Sequence, residues 1–274
     1  MMMNEKKRVI ALLTADIRVA HHAQMVYTAE QELVHLGYDV RIANTNADVK
    51  TTAGYLGAFA QDGLDGVMLI GSVFSGIASD PMVKPYLEGI PVVLANGRLE
   101  SEYACSVLLD DAAGAADATE HLVAMGKRNL WFVQDLNTTG AQAKREGFLK
   151  AVETFGVRGR VIEAHRSIEG GRKAAKDLVA SCRQFDGIVC SEDVTAVGVV
   201  KGLMNAGLRI PQDVAVTGYN NSIYARICEP NLTSVDNKVE FVAKSCVKLL
   251  ERMMNGEKPQ NEIIRPEIVQ GWTT

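Results

Sequence analysis

Residues 214–237 read VAVTGYNNSIYARICEPNLTSVDN and hold a strand end, a polar loop and an extended crossing in succession. Val214-Ala215-Val216, bounded by Asp213 and Gly218, is a short apolar run of the kind that fills a buried parallel strand. Tyr219, Asn220 and Asn221 follow it, at the carboxyl end where open α/β sheets collect ligands because loops and helix N-termini converge there. The Asn pair is therefore a candidate site, with an Asn-rich turn bonded to its own backbone as the alternative. Residues 230–237 are extended and β-leaning, and a helical pattern starts near Val239 with Asp236 or Asn237 to cap it.

Working outward, strand and helix alternate along the chain. Strands are expected at 7–14, 38–43, 65–71, 90–95 and 106–109, with helices at 25–36, 51–61, 81–87 and 114–125. The rhythm then repeats, with strands at 130–133, 160–163, 187–190 and 214–216 and helices at 140–155, 170–181 and 194–206. Such alternation is the input for parallel sheets covered by helices on both faces, so the fold class is α/β with two doubly wound lobes. The helix at 238–254 is assigned to the first lobe and the terminal run at 263–269 to the second. The domains are accordingly 6–110 with 238–262 and 111–237 with 263–274.

A chain of 274 residues is long enough for two such lobes, each with its own core. Apolar content of 47% and charged content of 23% are those of a soluble globular protein, and no apolar run approaches the roughly 20 residues of a membrane helix. The opening MMMNEKKRVIALLTAD places charge before an apolar stretch, yet residues 9–13 are too few for a signal h-region, and they read as a strand. Net charge is −4, and the only basic cluster is Lys6-Lys7-Arg8, which gives little drive toward phosphate backbones. The five cysteines, Cys105, Cys182, Cys190, Cys228 and Cys246, lack metal or redox spacing and read as small buried hydrophobes in a reducing cytoplasm. No cofactor is expected.

DVAVTGYNN followed by PNLTSVDN resembles the C-terminal half of LacI/GalR-type effector domains. IANTNADVKTTAGYLGAFAQDGLDGVMLIGS, IPVVLANGRLE, EHLVAMGKRNLWFV, AKREGFLKAV and FDGIVCSEDVTAVGVVKGLMNAGLRIPQ resemble the same family in its order and spacing, over nearly the whole chain. The resemblance implies a periplasmic-binding-protein-like type I fold, with three crossover segments and a cleft that closes on a small molecule. In the family a helix-turn-helix and hinge helix would precede Lys6, and the sequence shows neither there.

The resemblance also nominates ligand-binding residues. Where the family has a DxxNPFF-like loop after the first strand, this chain reads Asp16-Ile17-Arg18-Val19-Ala20-His21-His22, and His21 and His22 could donate to ligand oxygens or stand exposed at a helix start; a metal is not expected, for want of a Cys, Asp or Glu partner at ligand spacing. Ser72 ends the third strand, and Asn96 ends the fourth, where the family often has aspartate. Arg145, in AKREGF, is matched to the family's ligand arginine, whose fork suits vicinal hydroxyls or a carboxylate; the alternative is a surface helix arginine. Arg166 falls, by a looser match, where a cleft-wall aromatic is often found. Glu192 replaces a usual Asn, so it either selects a ligand that presents donors or pairs internally with an arginine, while Asp193 reads as a helix cap. Asn220 stands where many sugar-binding members carry Asp, and Asn237 closes the crossing.

The function expected is the effector-sensing domain of a bacterial transcription regulator. It would bind a sugar or sugar derivative, form a homodimer, and reach DNA only through an N-terminal helix-turn-helix, without a membrane. The alternative is a solute-binding protein of a sugar transporter. An enzyme is disfavoured, because no GxSxG, P-loop or HExxH appears.

Overall fold

Val9–Thr14 (β1) forms a strand because VIALLT offers β-branched and aliphatic side chains to both faces of a sheet, and all six residues are buried. In the computed structural model, which describes residues 7–135, 137–181, 184–258 and 260–274, the chain continues as Ala20–His35 (α1), Asp39–Asn44 (β2), Val49–Gln61 (α2) and Leu64–Ile70 (β3). Phe74–Ile77 (α3), Lys84–Leu87 (α4), Val92–Ala95 (β4) and Ala104–Leu109 (β5) follow. Asp111–Ala124 (α5), Asn129–Gln134 (β6), Thr139–Thr154 (α6), Arg158–Glu163 (β7), Ile168–Ala180 (α7), Gly187–Cys190 (β8), Asp193–Asn205 (α8), Ala215–Tyr219 (β9), Ile223–Ile227 (α9) and Thr233–Asp236 (β10) come next. Val239–Met254 (α10), Glu262–Ile264 (β11) and Glu267–Val269 (β12) complete the chain.

The chain divides into two compact units: residues up to Leu108 with Val239–Ile264, and Leu109–Lys238 with Arg265–Thr274. The first unit holds a six-stranded sheet in the order β11-β5-β4-β3-β1-β2, and the second one in the order β12-β10-β9-β8-β6-β7. Each sheet thus has the same winding, with its second strand at one edge and later strands added outward on the other side. Strands β1 to β4 pair in parallel with their neighbours, as do β6 to β10. β12 runs antiparallel to β10.

Several helices begin before their apolar periodicity does, because the capping residue sets the start. Asp110 accepts from the Ala113 amide at 3.0 Å, Thr138 from Ala141 at 3.3 Å and Ser167 from Gly170 at 3.0 Å. Where a helix was expected over 81–87, only Lys84–Leu87 is helical. The terminal run expected at 263–269, assigned whole to the second lobe, is broken instead. Pro266 has no amide proton to continue a ladder, so β11 ends before it in the first sheet and β12 starts after it in the second.

The second unit packs α7 on α8 through facing glycines. A Cβ on Gly171 would lie 2.1 Å from the Thr195 carbonyl oxygen, and one on Gly198 would lie 2.1 Å from that of Ile168. Behind this contact, Trp131, Val133, Ile188, Val216 and Leu203 fill one face of the sheet, and Phe132, Phe148, Val189 and Tyr219 the other. Cys105, Cys190, Cys228 and Cys246 are buried, and burial raises each thiol above its usual range. Cys182 lies outside the described residues.

Candidate functional site

The carboxyl ends of β6, β8, β9 and β10 in the second unit bring together the buried polar side chains of Asp135, Ser191, Asp193, Asn220 and Asn237. Asp135 is fixed by hydroxyls, with Ser191 Oγ donating to one carboxylate oxygen at 2.7 Å and Thr195 Oγ1 to the other at 2.7 Å. Asp193, in the first turn of α8, accepts from the Ser222 amide at 2.7 Å, Ser222 Oγ at 2.8 Å and Ser234 Oγ at 2.6 Å. Its role is structural, as expected, but by another route. Rather than capping α8, it ties that helix to the loop after β9 and to β10, and Gly218 leaves room for it, since a Cβ there would sit 2.2 Å from Asp193 Oδ1.

Lys144 is the cation at the centre of the group. It lies on the buried face of α6 with Ala141, Gly147, Phe148, Ala151 and Val152. Its ammonium donates to the Ser191 carbonyl at 3.1 Å, stands 3.7 Å from Glu192 Oε1, and sits 3.8 Å from the centroid of the Tyr219 ring. With side chains 8% and 13% exposed, Lys144 and Glu192 form a buried pair. Glu192 also accepts from Asn220 Nδ2 at 2.5 Å, and Asn237 Nδ2 donates to Asn220 Oδ1 at 2.8 Å. Asn237 Oδ1 is buried and has no hydrogen-bond partner among the described residues. Asn220 takes a left-handed φ of 92° to enter this chain of contacts, a conformation Asn tolerates better than most residues.

Burial raises the Glu192 carboxyl above its ordinary range, while Lys144 and Arg166 pull it back. Asp135 is raised by burial and by the neighbouring Glu192 charge, against the hydroxyls of Thr195 and Ser191. Asp193 is pushed up to about 7 by burial, against the donors of Ser234 and Ser222. Among the described residues, no three metal-binding side chains come together.

The structure brings Glu192, Asn220 and Asn237 into one hydrogen-bonded line, and half-buried Arg166 acts on Glu192 electrostatically. Arg145 is corrected. It is exposed on α6, one residue and about 100° away from the inward face that Lys144 occupies, so it does not face the end of β8. In the first unit, His21 and His22 lie in the first turn of α1, half-buried rather than exposed, with ring centroids 4.6 Å apart and His22 Nδ1 3.1 Å from the Asp16 carbonyl. Ser72 follows β3 and Asn96 follows β4 with a left-handed φ of 57°, both half-buried. The residues that sequence reasoning missed are Lys144 and Asp135. The first had a signal, the i, i+3, i+4 spacing of small and apolar residues around it; the second had none, because its partners are Ser191, just after β8, and Thr195 of α8.

A family model described as the periplasmic binding protein-like domain matches residues 119–274, more than half of the chain. The chain belongs to that family. Within the periplasmic-binding-protein-like family it corresponds to the effector-binding domain of LacI-type regulators. An HTH-type transcriptional regulator of Lachnoclostridium phytofermentans is 26% identical over 273 residues, covering 97% of this chain and 82% of that protein. The crystal structure of a LacI family transcriptional regulator from Mycobacterium smegmatis is similar with a TM-score of 0.81 at 25% identity, covering 97% of this chain and 98% of the other. A LacI family regulator from Enterococcus faecium with bound ribose shares the fold, with a TM-score of 0.83 at 23% identity over 97% of this chain and 98% of that one. Among the described residues, no helix is long and apolar enough to cross a membrane.

Proposed function

We propose that this chain senses a small polar metabolite, a sugar or sugar derivative, for a transcription regulator, and that Arg166, Glu192, Asn220 and Asn237 contact it in the second unit. Lys144 joins them in place of Arg145. One observation carries this reading: at the strand ends of the second unit, a line of buried polar side chains ends in an acceptor, Asn237 Oδ1, that has no hydrogen-bond partner among the described residues. A buried polar atom left unsatisfied is costly, and a polyhydroxy ligand would relieve it. In the first unit, His21 and His22 in the first turn of α1, with Ser72 after β3 and Asn96 after β4, are assigned ligand contact by family position. The ribose-bound neighbour supports a sugar as the ligand class. DNA contact is assigned to a helix-turn-helix of the kind named in the relatives, and the protein is assigned to the cytoplasm.

The test is native mass spectrometry of protein purified from cells, followed by titration of the retained compound. A polyhydroxylated molecule bound at one per chain supports the reading. A protein that retains nothing and gives no thermal shift with a broad set of sugars and sugar derivatives contradicts it.

A further inference from the structure

The polarity of the site is decided at its charged end. A carboxylate can only accept hydrogen bonds, so the contact between Glu192 Oε2 and the Asn220 side chain obliges Asn220 to turn its Nδ2 group toward Glu192. That leaves Asn220 Oδ1 facing Asn237 at 2.8 Å, and an oxygen there obliges Asn237 to turn its own Nδ2 group inward. The end of the line is then necessarily an oxygen, Asn237 Oδ1, on a residue only 3% exposed. Lys144 holds Glu192 from the other side, at 3.7 Å, and its charge favours the carboxylate form without interrupting the line. Either Asn alone could present oxygen or nitrogen; the carboxylate removes the choice from both.

We propose that Glu192 is a specificity-determining residue acting through Asn220 and Asn237, and that it makes this position accept a ligand hydroxyl or amine while turning away a carboxylate or phosphate. This rests on the ligand-binding reading given above. A ligand donor at Asn237 Oδ1 completes the line, whereas an anionic group there would place oxygen against a buried, unsatisfied oxygen. At Asn237 Oδ1 Glu192 acts by positioning and not by its own contact with the ligand, because that atom is two side chains away along the line.

The experiment uses matched sets of probes, each a sugar, its amino sugar and its sugar acid (glucose, glucosamine and glucuronate; galactose, galactosamine and galacturonate; ribose, 2-amino-2-deoxyribose and ribonate). Affinities are measured by calorimetry for the parent and for Glu192→Gln. Glutamine can donate or accept, so the variant frees both amides to reverse and Asn237 can offer its Nδ2 group instead. The expected result is that in the set the parent binds, the sugar or amino sugar is preferred over the acid, and that Glu192→Gln narrows this preference about tenfold, the size of one buried hydrogen bond gained or lost. A folded Glu192→Gln protein that binds with the parent's ranking unchanged overturns the proposal and leaves the sugar reading standing. Absence of binding by every member of every set overturns the sugar reading, and the proposal falls with it. Should Glu192→Gln fail to fold because Lys144 is left uncompensated, the double variant Lys144→Met/Glu192→Gln, which removes both charges, is read by the same criterion.

Discussion

Lys144 and Arg145 are adjacent in sequence and opposite in consequence. Breaking a buried ion pair by removing one partner typically costs about 3–5 kcal/mol, so Lys144→Ala should lower the denaturant midpoint strongly. Arg145→Ala should leave it within about 0.5 kcal/mol of the parent, as surface changes do. Equal effects in chemical denaturation would show that Lys144 is not the buried partner. Asp193 gives a pH dependence of definite sign. The folded protein keeps its proton up to about 7, whereas the ordinary value is 3.8, so between about 4 and 7 the folded state binds the extra proton and its stability falls as pH rises. Burial acts in the same direction at Asp135 and Glu192. Melting temperatures recorded from pH 5 to 7.5 should fall more steeply for the parent than for Asp193→Asn; a parent that grows more stable relative to the variant over that window would mean the carboxylate stays ionised. At this scale the sequence was readable in part. Glu192, Asn220 and Asn237 stand at strand ends that the alternation of elements locates, and the AKREGF match came within one residue of the inward cation. What corrects it is helical geometry, since Ala141, Lys144, Phe148 and Ala151 recur at helical spacing and Arg145 does not join them.

Among the elements, the α7–α8 contact is the most demanding of its sequence. Replacing Gly198 by Ala adds a better helix former, worth about 1 kcal/mol at an exposed position. Here the new methyl would meet the Ile168 carbonyl oxygen at 2.1 Å, and backbone cannot rotate away as a side chain can. Overpacking of this kind costs about 1–3 kcal/mol, so the clash outweighs the propensity and Gly198→Ala should melt several degrees below the parent. Scanning calorimetry that shows an equal or higher melting temperature would mean α7 and α8 are not held at this separation. The existence and order of the longer helices were evident from apolar spacing, but their first residues were not, and the short α3 and α9 were not expected. Asp110, Thr138 and Ser167 start α5, α6 and α7 through side-chain caps that carry no apolar signal. The split of 263–269 into β11 and β12 was hidden for a different reason: a run of β-formers states that a strand forms and not which sheet receives it, and only Pro266 marks the break.

At the scale of the whole molecule, the double winding was carried by the alternation of apolar runs and amphipathic helices, and it is the same in both sheets. We further propose a homodimer. Leu64–Ile70 is an interior strand between β1 and β4 and offers no pairing surface, and the exposed apolar side chains nearby are Tyr55, Met82 and Tyr86. Sedimentation at tens of micromolar, where a standard-size interface would be saturated, should give twice the chain mass of 29.7 kDa; a monomer at that concentration contradicts pairing. The central claim is that the second unit's strand ends bind the effector through Asn220 and Asn237 and not through Arg145. Calorimetry with the compound retained from cells tests it most directly, comparing the parent with Asn237→Ala, Asn220→Ala and Arg145→Ala. The account predicts one site per chain, a loss of at least about tenfold for each Asn variant, and parent-like binding for Arg145→Ala. Parent-like binding by both Asn variants, or loss of binding in Arg145→Ala alone, would contradict it.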